Sequence, residues 1–224
     1  WEGANGGTTR SFTGLSFSPD FVWTKVRNLG FNHQIYDSVR GAGNDKSLAS
    51  NDAGSEPNGA PATFGYLSSF DSAGFTFTKG TSTGDPAGNA YFDQVIGSAA
   101  TYVGWCWDAG TSTASNTDGS ITTQVRVNNT ARFSIVTGTQ GSGVSTWGHG
   151  LIGKPDFLIM KARDQAFNWY VSHSALDNQS TKFLRLNLTD EVATNANWFN
   201  STEVTSSVVT SKAGGMWASG DDFV

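Results

Sequence analysis

The sequence repeats itself at a spacing of 136 positions, and this internal copy constrains the fold more than any other feature. Between residues 14–38 and residues 150–174, ten residues are identical without a gap. Some differences keep the chemistry of the side chain, as between Val22 and Leu158. Because self-similarity at a fixed period is the signature of a repeat architecture, the sequence predicts an array of one module with a period of 136 residues.

The same alignment predicts where the modules begin and end. With a shift of one residue, Trp1 aligns with Val136, and Phe223 falls where Tyr102 opens an apolar run, so both ends of the chain fall inside predicted strands. We therefore expect the 224 residues to be a window from a longer polypeptide. The predicted parts are the end of one repeat (1–13), a complete β-sandwich repeat (14–149) and a partial second repeat (150–224).

The charge of the chain argues against several classes of partner. Its 14 basic residues are scattered singly among 19 acidic ones, and the net charge is −5. Binding to nucleic acid or to an anionic membrane needs clustered Lys and Arg, so neither is the expected partner. No run approaches the length of about eighteen apolar residues that a membrane-spanning helix needs.

Hydrophobic periodicity predicts strands. In the segment 21–27, Phe21, Trp23, Lys25 and Arg27 fall on one face and Val22, Thr24 and Val26 on the other. Similar short segments recur along the chain, separated by clusters of Gly, Asn, Asp, Ser and Pro, and no long helix is evident. This pattern predicts an all-β protein, an antiparallel β-sandwich or jelly roll. Cys106, between two tryptophans, is predicted to be a small core residue.

Pairs of cations stand two residues apart on predicted strands and leave two interpretations open. Lys25 with Arg27, and Lys161 with Arg163, place two positive charges side by side. One interpretation is a solvated strand face with paired acids. The other is a basic ridge that contacts a neighbouring module or an acidic glycan.

The acidic residues do not predict an enzyme. Glycoside hydrolysis needs two carboxyls about 5 to 10 Å apart, and alternating acids on one strand commonly supply them in β-sandwich hydrolases. Glutamate occurs at positions 2, 56, 191 and 203, and none of these has an acid two residues away on a predicted strand. The adjacent acids Asp221 and Asp222 point to opposite faces of an extended chain. We therefore predict no catalytic activity. The alternative is an enzyme whose two carboxyls come together from different sheets.

No cofactor is expected from the sequence, and a calcium site is the alternative. The three histidines, His33, His149 and His173, share no ligand spacing. Several acids lie in loops rich in oxygen ligands suited to Ca²⁺, and ordinary polar turns carry the same residues. These acids are Asp45, Asp52, Glu56, Asp85 and Asp93.

Five strings of residues resemble a repeat of virion appendage proteins from marine bacteriophages. Such modules are similar in fold to the concanavalin-A-like lectin/glucanase superfamily. The resemblance covers nearly the whole chain and carries no site residues with it. The strings are Gly14-Leu15 to Pro19-Asp20-Phe21, Asp37 to Gly41, Asn116 to Ser120, Phe133 to Val136 and Trp147 to Leu151.

This resemblance implies a non-enzymatic structural protein of a tail fibre, located on the virion. Its repeats would contact neighbouring copies or modules, and its loops would contact a host glycan. The alternative is a lectin-like adhesin of a bacterial surface that binds cell-surface polysaccharide. An exposed Trp or Tyr cluster beside Asn and Asp loops would favour the adhesin. The candidate sugar-binding residues are Trp147, Trp169, Trp198 and Trp217 with Asn195, Asn197 and Asn200. The alternative role of each tryptophan is packing, either in a core or between modules.

Overall fold

The structure is a computed structural model that describes residues 1, 9–81 and 100–224. The fold of these residues is all-β and antiparallel, with one short helix. The helix α1 spans Pro61–Phe64. The strands are β1 (Thr9–Thr13), β2 (Phe21–Val26), β3 (Gln34–Asp37), β4 (Leu48–Ala49), β5 (Tyr66–Asp71), β6 (Gly74–Thr78), β7 (Tyr102–Trp107), β8 (Thr113–Asn116), β9 (Thr123–Asn128), β10 (Phe133–Thr139), β11 (Val144–Gly148), β12 (Phe157–Met160), β13 (Tyr170–His173), β14 (Lys182–Arg185), β15 (Ala193–Thr194), β16 (Val208–Lys212) and β17 (Asp222–Phe223).

The chain divides into two compact units. Unit 1 comprises Trp1–Asp108 and unit 2 comprises Ala109–Val224. This division does not coincide with the predicted repeat boundaries after residues 13 and 149. A sequence period fixes the length of a repeat and leaves its starting point free, so the two divisions describe different things. The predicted boundaries therefore stay a prediction.

Two antiparallel sheets of unit 1 contribute to one core. One sheet has the order β4-β3-β2-β7 and the other the order β1-β6-β5. Val22 and Tyr36 from the first sheet belong to the same buried cluster as Leu67, Phe75 and Phe77 from the second. Shared burial of two sheet faces is consistent with a β-sandwich.

Strand β2 shows how the sequence directs this packing. Its residues alternate between fully and partly buried, with Val22, Thr24 and Val26 on the buried side. The face alternation predicted from the sequence is therefore confirmed. Because successive side chains of a strand point to opposite faces, the other side of β2 carries Phe21 and Trp23 away from the core.

Unit 2 places its strands in three antiparallel sheets around a larger aromatic core. The sheet orders are β17-β10-β9-β8, β11-β16 and β12-β13-β14-β15. Trp198 stacks on Phe183 and on Phe199, each at a ring-centroid distance of 4.6 Å. Trp217 stacks on Phe223, also at 4.6 Å and nearly parallel. These aromatic side chains, which bury large apolar areas, dominate the core of unit 2.

One predicted strand begins differently in the structure. The sequence predicts a strand over residues 63–67, whereas residues 61–64 form α1 and the strand β5 begins at Tyr66. Pro61 favours the first turn of a helix because its φ is already fixed there, and Gly65 ends the helix with a positive φ. Local turn chemistry thus overrides the alternation at this place.

The described part of the chain contains no helix long and apolar enough to cross a membrane.

Candidate functional site

A lysine whose ammonium binds backbone carbonyls recurs at the same place in both units. In unit 1, the Lys25 ammonium donates to the carbonyls of Val26 and Leu29, the latter at 2.9 Å. In unit 2, the Lys161 ammonium donates to the carbonyls of Ala162 at 2.6 Å and Gln165 at 3.0 Å. The acceptors are thus the next residue and the fourth residue along in each case. Each lysine ties the loop that follows its strand back onto the strand end.

An asparagine pair also recurs with its partners 136 positions apart. In unit 1, Asn51 donates to the side-chain oxygen of Asn32 at 2.8 Å. In unit 2, Asn187 donates to the side-chain oxygen of Asn168 at 2.8 Å. In both units, the Oδ1 atom of the donor asparagine also accepts from the backbone N–H of the residue that follows the acceptor asparagine. These donors are His33 at 2.8 Å and Trp169 at 2.9 Å.

A third correspondence lies where the last strand of each unit meets the strand of the lysine. The amide of Arg27 donates to the Thr101 carbonyl at 2.7 Å, and the amide of Arg163 donates to the Asp222 carbonyl at 2.7 Å. The side chain of the residue after each arginine accepts a hydrogen bond from the amide of the same partner. Asn28 accepts from Thr101, and Asp164 accepts from Asp222. These contacts agree with the predicted correspondence of Phe223 with Tyr102.

The two units differ sharply at one corner. In unit 1, the Arg40 guanidinium is fully buried between the carboxylates of Asp37 and Glu56, at 2.5 and 3.1 Å. Burial alone lowers the pKa of Arg40, but the two carboxylates outweigh it and raise that pKa above its usual value. At the positions of Asp37 and Arg40, unit 2 carries His173 and Leu176. The buried ionic network is therefore specific to unit 1.

Four aromatic residues in the described part of unit 1 lie on the face of its larger sheet that points away from the core. Phe21 pairs across the strands with Trp107, and Trp23 pairs with Trp105. Both pairs pack edge to face, at ring-centroid distances of 5.3 and 6.1 Å. Trp105 is 45% exposed and Trp107 is 37% exposed. We call this set of four residues the aromatic ladder.

The sequence carries a signal for this ladder in the order Trp105-Cys106-Trp107. In β7, Cys106 lies between Trp105 and Trp107, and it packs against the core of unit 1. Because side chains alternate along a strand, an inward Cys106 requires both tryptophans to point outward. Burial raises the pKa of the Cys106 thiol from 9.0 to about 11.

The tryptophans predicted as sugar-binding platforms lie in the interior instead. Trp147, Trp169 and Trp198 are buried, as is Trp217, so none of them offers an open ring face. Their alternative role, packing in a core, describes what these four side chains do. They are drawn inward because large aromatic rings gain most from leaving water.

The predicted asparagine partners serve local contacts. The side-chain oxygen of Asn195 accepts from the amide of Asn197 at 2.8 Å. The side chain of Asn197 in turn accepts from the Lys212 ammonium at 3.0 Å. The side chain of Asn197 is exposed, whereas its neighbour Trp198 is buried, so the two do not form a joint surface.

The predicted basic ridge is interrupted by the two lysines. Lys161 is completely buried, and its ammonium binds carbonyls of its own unit, so it cannot reach a neighbouring module. Lys25 is half-buried in the equivalent contacts, and burial lowers its pKa. Arg27 is exposed and Arg163 is half-buried. A contact with another module through these cations stays a prediction for the two arginines.

The residues considered for metal binding have separate partners. Asp45 pairs with Lys46, Glu56 with Arg40, and Asp52 accepts from Asn58 at 3.0 Å. Asp85 and Asp93 lie outside the residues that the structure describes. Within residues 1, 9–81 and 100–224, no three His, Cys, Asp or Glu side chains come together as metal ligands would.

The histidines make local contacts. His149 accepts from the amide of Leu151 at 3.2 Å, and His173 accepts from the amide of Ala175 at 2.9 Å. Burial lowers the pKa of His149 and of His33. The ring nitrogens of His149 and His173 each accept from the amide two residues further along the chain and so hold a local turn.

Nearly the whole chain matches one known protein family. Residues 2–224 match the sequence profile of a family described as a domain of unknown function, DUF7483. No curated protein and no solved structure matches the chain.

Proposed function

The chain belongs to the DUF7483 family, and we propose that it is a non-enzymatic structural protein built from a tandemly repeated β-sandwich module of the jelly-roll type. The proposed setting is a fibre or appendage of a virion, with a bacterial surface filament as the related alternative. Neighbouring copies or modules of the same protein would be its main partners.

The observation that carries this proposal is the recurrence of the same polar contacts in both units. Lys25 and Lys161 hold carbonyls at the same two offsets, and the pairs Asn32–Asn51 and Asn168–Asn187 make the same bond. These side chains are directed at the backbone of their own unit. Polar groups used in this way stabilise a module, which is the requirement of a building block, and leave few groups for chemistry.

The aspartates near the end of the chain illustrate the same use of polar groups. Asp221 accepts from the amide of Ala218 at 2.7 Å, and Asp222 accepts from the Thr139 hydroxyl at 2.6 Å. General acid–base catalysis on a sugar needs two carboxyls that face one substrate. Carboxylates that hold turns and strand ends favour a structural role over a hydrolytic one.

Immunogold electron microscopy on the particles or cells that make the protein tests the proposal. Antibodies raised against the purified chain should label a tail fibre, an appendage or a surface filament. Regular spacing of gold along that filament would agree with a repeated module. Label confined to soluble material, with every filament bare, would overturn the structural role.

A carbohydrate-binding adhesin is the second candidate, and the aromatic ladder favours it. Trp105 and Trp107 are 45% and 37% exposed on one side of β7, and sugars stack their apolar faces on aromatic rings of this kind. The surrounding chain is acidic overall, which favours a neutral polysaccharide over an anionic one.

A glycan array followed by titration of tryptophan fluorescence tests the adhesin. The Trp105→Ala and Trp107→Ala variants should each lose at least tenfold in affinity for any glycan that binds. Phe157→Ala is the matched control, since Phe157 is an exposed aromatic residue of unit 2. Binding that survives both ladder variants would remove this site, and binding to no glycan would remove the adhesin.

A further inference from the structure

Asn58 holds the end of the loop that follows β4. Its backbone N–H donates to the Ser47 carbonyl at 2.9 Å, and its own carbonyl accepts from the Ser47 hydroxyl at 2.8 Å. The residue is only 6% exposed. Residues 50–58, which we call the β4 loop, are therefore closed at their base by a buried asparagine.

The side chain of Asn58 closes the same loop from the inside. Its Nδ2 atom donates to the Oδ1 atom of Asp52 at 3.0 Å, and the amide of Gly54 donates to that same oxygen. A Cβ atom at Gly54 would lie 2.1 Å from Nδ2, so a glycine is needed for the amide to come this close. A carboxylate has no N–H to donate, and the contact therefore requires an amide at position 58.

The residue that follows makes this amide chemically labile. Gly59 has a φ of 81° and no Cβ, so its backbone nitrogen is unhindered. Asparagine is among the heat-sensitive residues of proteins, and it reacts most readily when glycine follows. The Gly59 nitrogen gives up its proton to a base in the solvent and forms a bond with Cγ of Asn58. Ammonia leaves, taking a proton back from the solvent, and water opens the resulting succinimide ring to aspartate or isoaspartate.

The closed loop opposes the first step of this reaction. Burial of Asn58 keeps solvent base from the peptide bond to Gly59, and the hydrogen bond to Asp52 fixes the side-chain amide in place. Loops open locally in a small fraction of folded molecules. We therefore expect the reaction to proceed in the molecules whose β4 loop is open.

The product opposes closure of the loop. The new carboxylate at position 58 would face that of Asp52 at the distance of a hydrogen bond, and like charges this close repel each other. Isoaspartate also adds a carbon to the main chain and moves the amide away from Ser47. Glu56 lies in the same loop and pairs with Arg40 at 3.1 Å, so an open loop withdraws one of the two carboxylates from the buried guanidinium.

The site is specific to unit 1. At the positions of Asp52 and Asn58, unit 2 carries Leu188 and Thr194. We propose that Asn58 is a site of spontaneous deamidation whose rate is set by the Asp52 contact and whose product holds the β4 loop open. The modification marks, irreversibly, a chain whose β4 loop has opened. This inference goes beyond the proposed function and does not depend on it.

Peptide mapping by mass spectrometry measures the reaction in the intact chain, kept folded in mildly alkaline buffer. Asp52→Ala removes the acceptor, and deamidation at Asn58 should become about tenfold faster, the effect of losing a hydrogen bond to a charged group. Asp52→Asn keeps an oxygen acceptor and is the matched control, with a rate within about twofold of that of the unchanged chain. In urea, where no loop is closed, all three chains should react at Asn58 about as fast as at Asn5, which also precedes a glycine.

A second set of variants tests the effect of the product even if Asp52→Ala fails to fold. Asn58→Asp supplies the carboxylate directly, and hydrogen exchange at the amide of residue 58 should become about tenfold faster. The double variant Asp52→Asn with Asn58→Asp exchanges donor and acceptor between the two positions. It should therefore restore slow exchange at that amide.

Three results would overturn the proposal. The first is an equal rate of deamidation at Asn58 in folded Asp52→Ala and folded Asp52→Asn. The second is the absence of reaction at Asn58 in folded Asp52→Ala over a period in which Asn58 of the urea-unfolded chain reacts completely. The third is unchanged hydrogen exchange at residue 58 in Asn58→Asp, because a loop that closes over two carboxylates is not held open by the product.

Discussion

Lys25 and Lys161 lie 136 positions apart, and each ammonium binds the carbonyl of the next residue and the carbonyl four residues on. The two lysines thus close equivalent loops in the two units. They differ in burial, since Lys161 is completely buried and Lys25 is half-buried. Burying a charge is costly unless backbone carbonyls accept hydrogen bonds from it. The position of the loop and the burial of the lysine therefore depend on each other.

Replacing Lys161 by methionine should reveal this dependence. Lys161→Met keeps most of the length of the side chain but leaves the buried carbonyl of Ala162 and the partly buried carbonyl of Gln165 without this donor. We expect the free energy of unfolding to fall by about 2–3 kcal/mol, the cost of unsatisfied buried acceptors. Urea denaturation followed by tryptophan fluorescence measures it. Lys154→Met is the control, because its partly exposed pair with Glu203 should contribute less than about 1 kcal/mol.

The two asparagine pairs offer an internal comparison of exposure. Asn187→Ala and Asn51→Ala remove the same two side-chain hydrogen bonds in unit 2 and unit 1. Asn187 is half-buried, whereas Asn51 is exposed. Because water replaces lost bonds at an exposed site, we expect a loss of about 1–1.5 kcal/mol for Asn187 and about 0.5 kcal/mol for Asn51. Equal losses in denaturant titrations would contradict this explanation.

The buried ionic network of unit 1 should be sensitive to loss of its cation. Arg40→Leu leaves the buried carboxylates of Asp37 and Glu56 without their shared counter-ion. We expect a loss of about 3–5 kcal/mol in the free energy of unfolding. Arg27→Leu, at an exposed position, should change it by less than about 0.5 kcal/mol. A small effect of Arg40→Leu in the same denaturation experiment would show that the network is dispensable.

Cys106 should titrate late. Burial raises the pKa of its thiol to about 11 in the folded chain, against 9.0 for an ordinary thiol. The folded chain therefore keeps its proton where the unfolded chain has lost it. The resulting contribution to stability is complete below pH 9 and is lost as the pH rises through 11. Thiolate absorbance should show a midpoint near 11, and the alkaline loss of stability should be smaller in Cys106→Ala.

The predictions from the sequence that hold in the structure are those that concern residues close together along the chain. The alternation of β2 predicted that Val22 and Thr24 share one face, and the structure buries that face. This alternation depends on neighbours along the chain, since a strand period of two is a local property. By contrast, periodicity placed Lys25 beside Arg27 on one face and could not show that a loop folds back over the lysine.

The sequence by itself determined that the chain is all-β, and its internal copy indicated where equivalent contacts would lie. Only the tertiary structure decided that Trp147 and Trp198 point into a core while Trp105 and Trp107 remain exposed. It also decided that Arg40 meets Glu56, sixteen positions away, in a buried pair. The physical reason is that alternation separates the two faces of a strand, whereas the choice of buried face depends on which distant sheet or loop covers it.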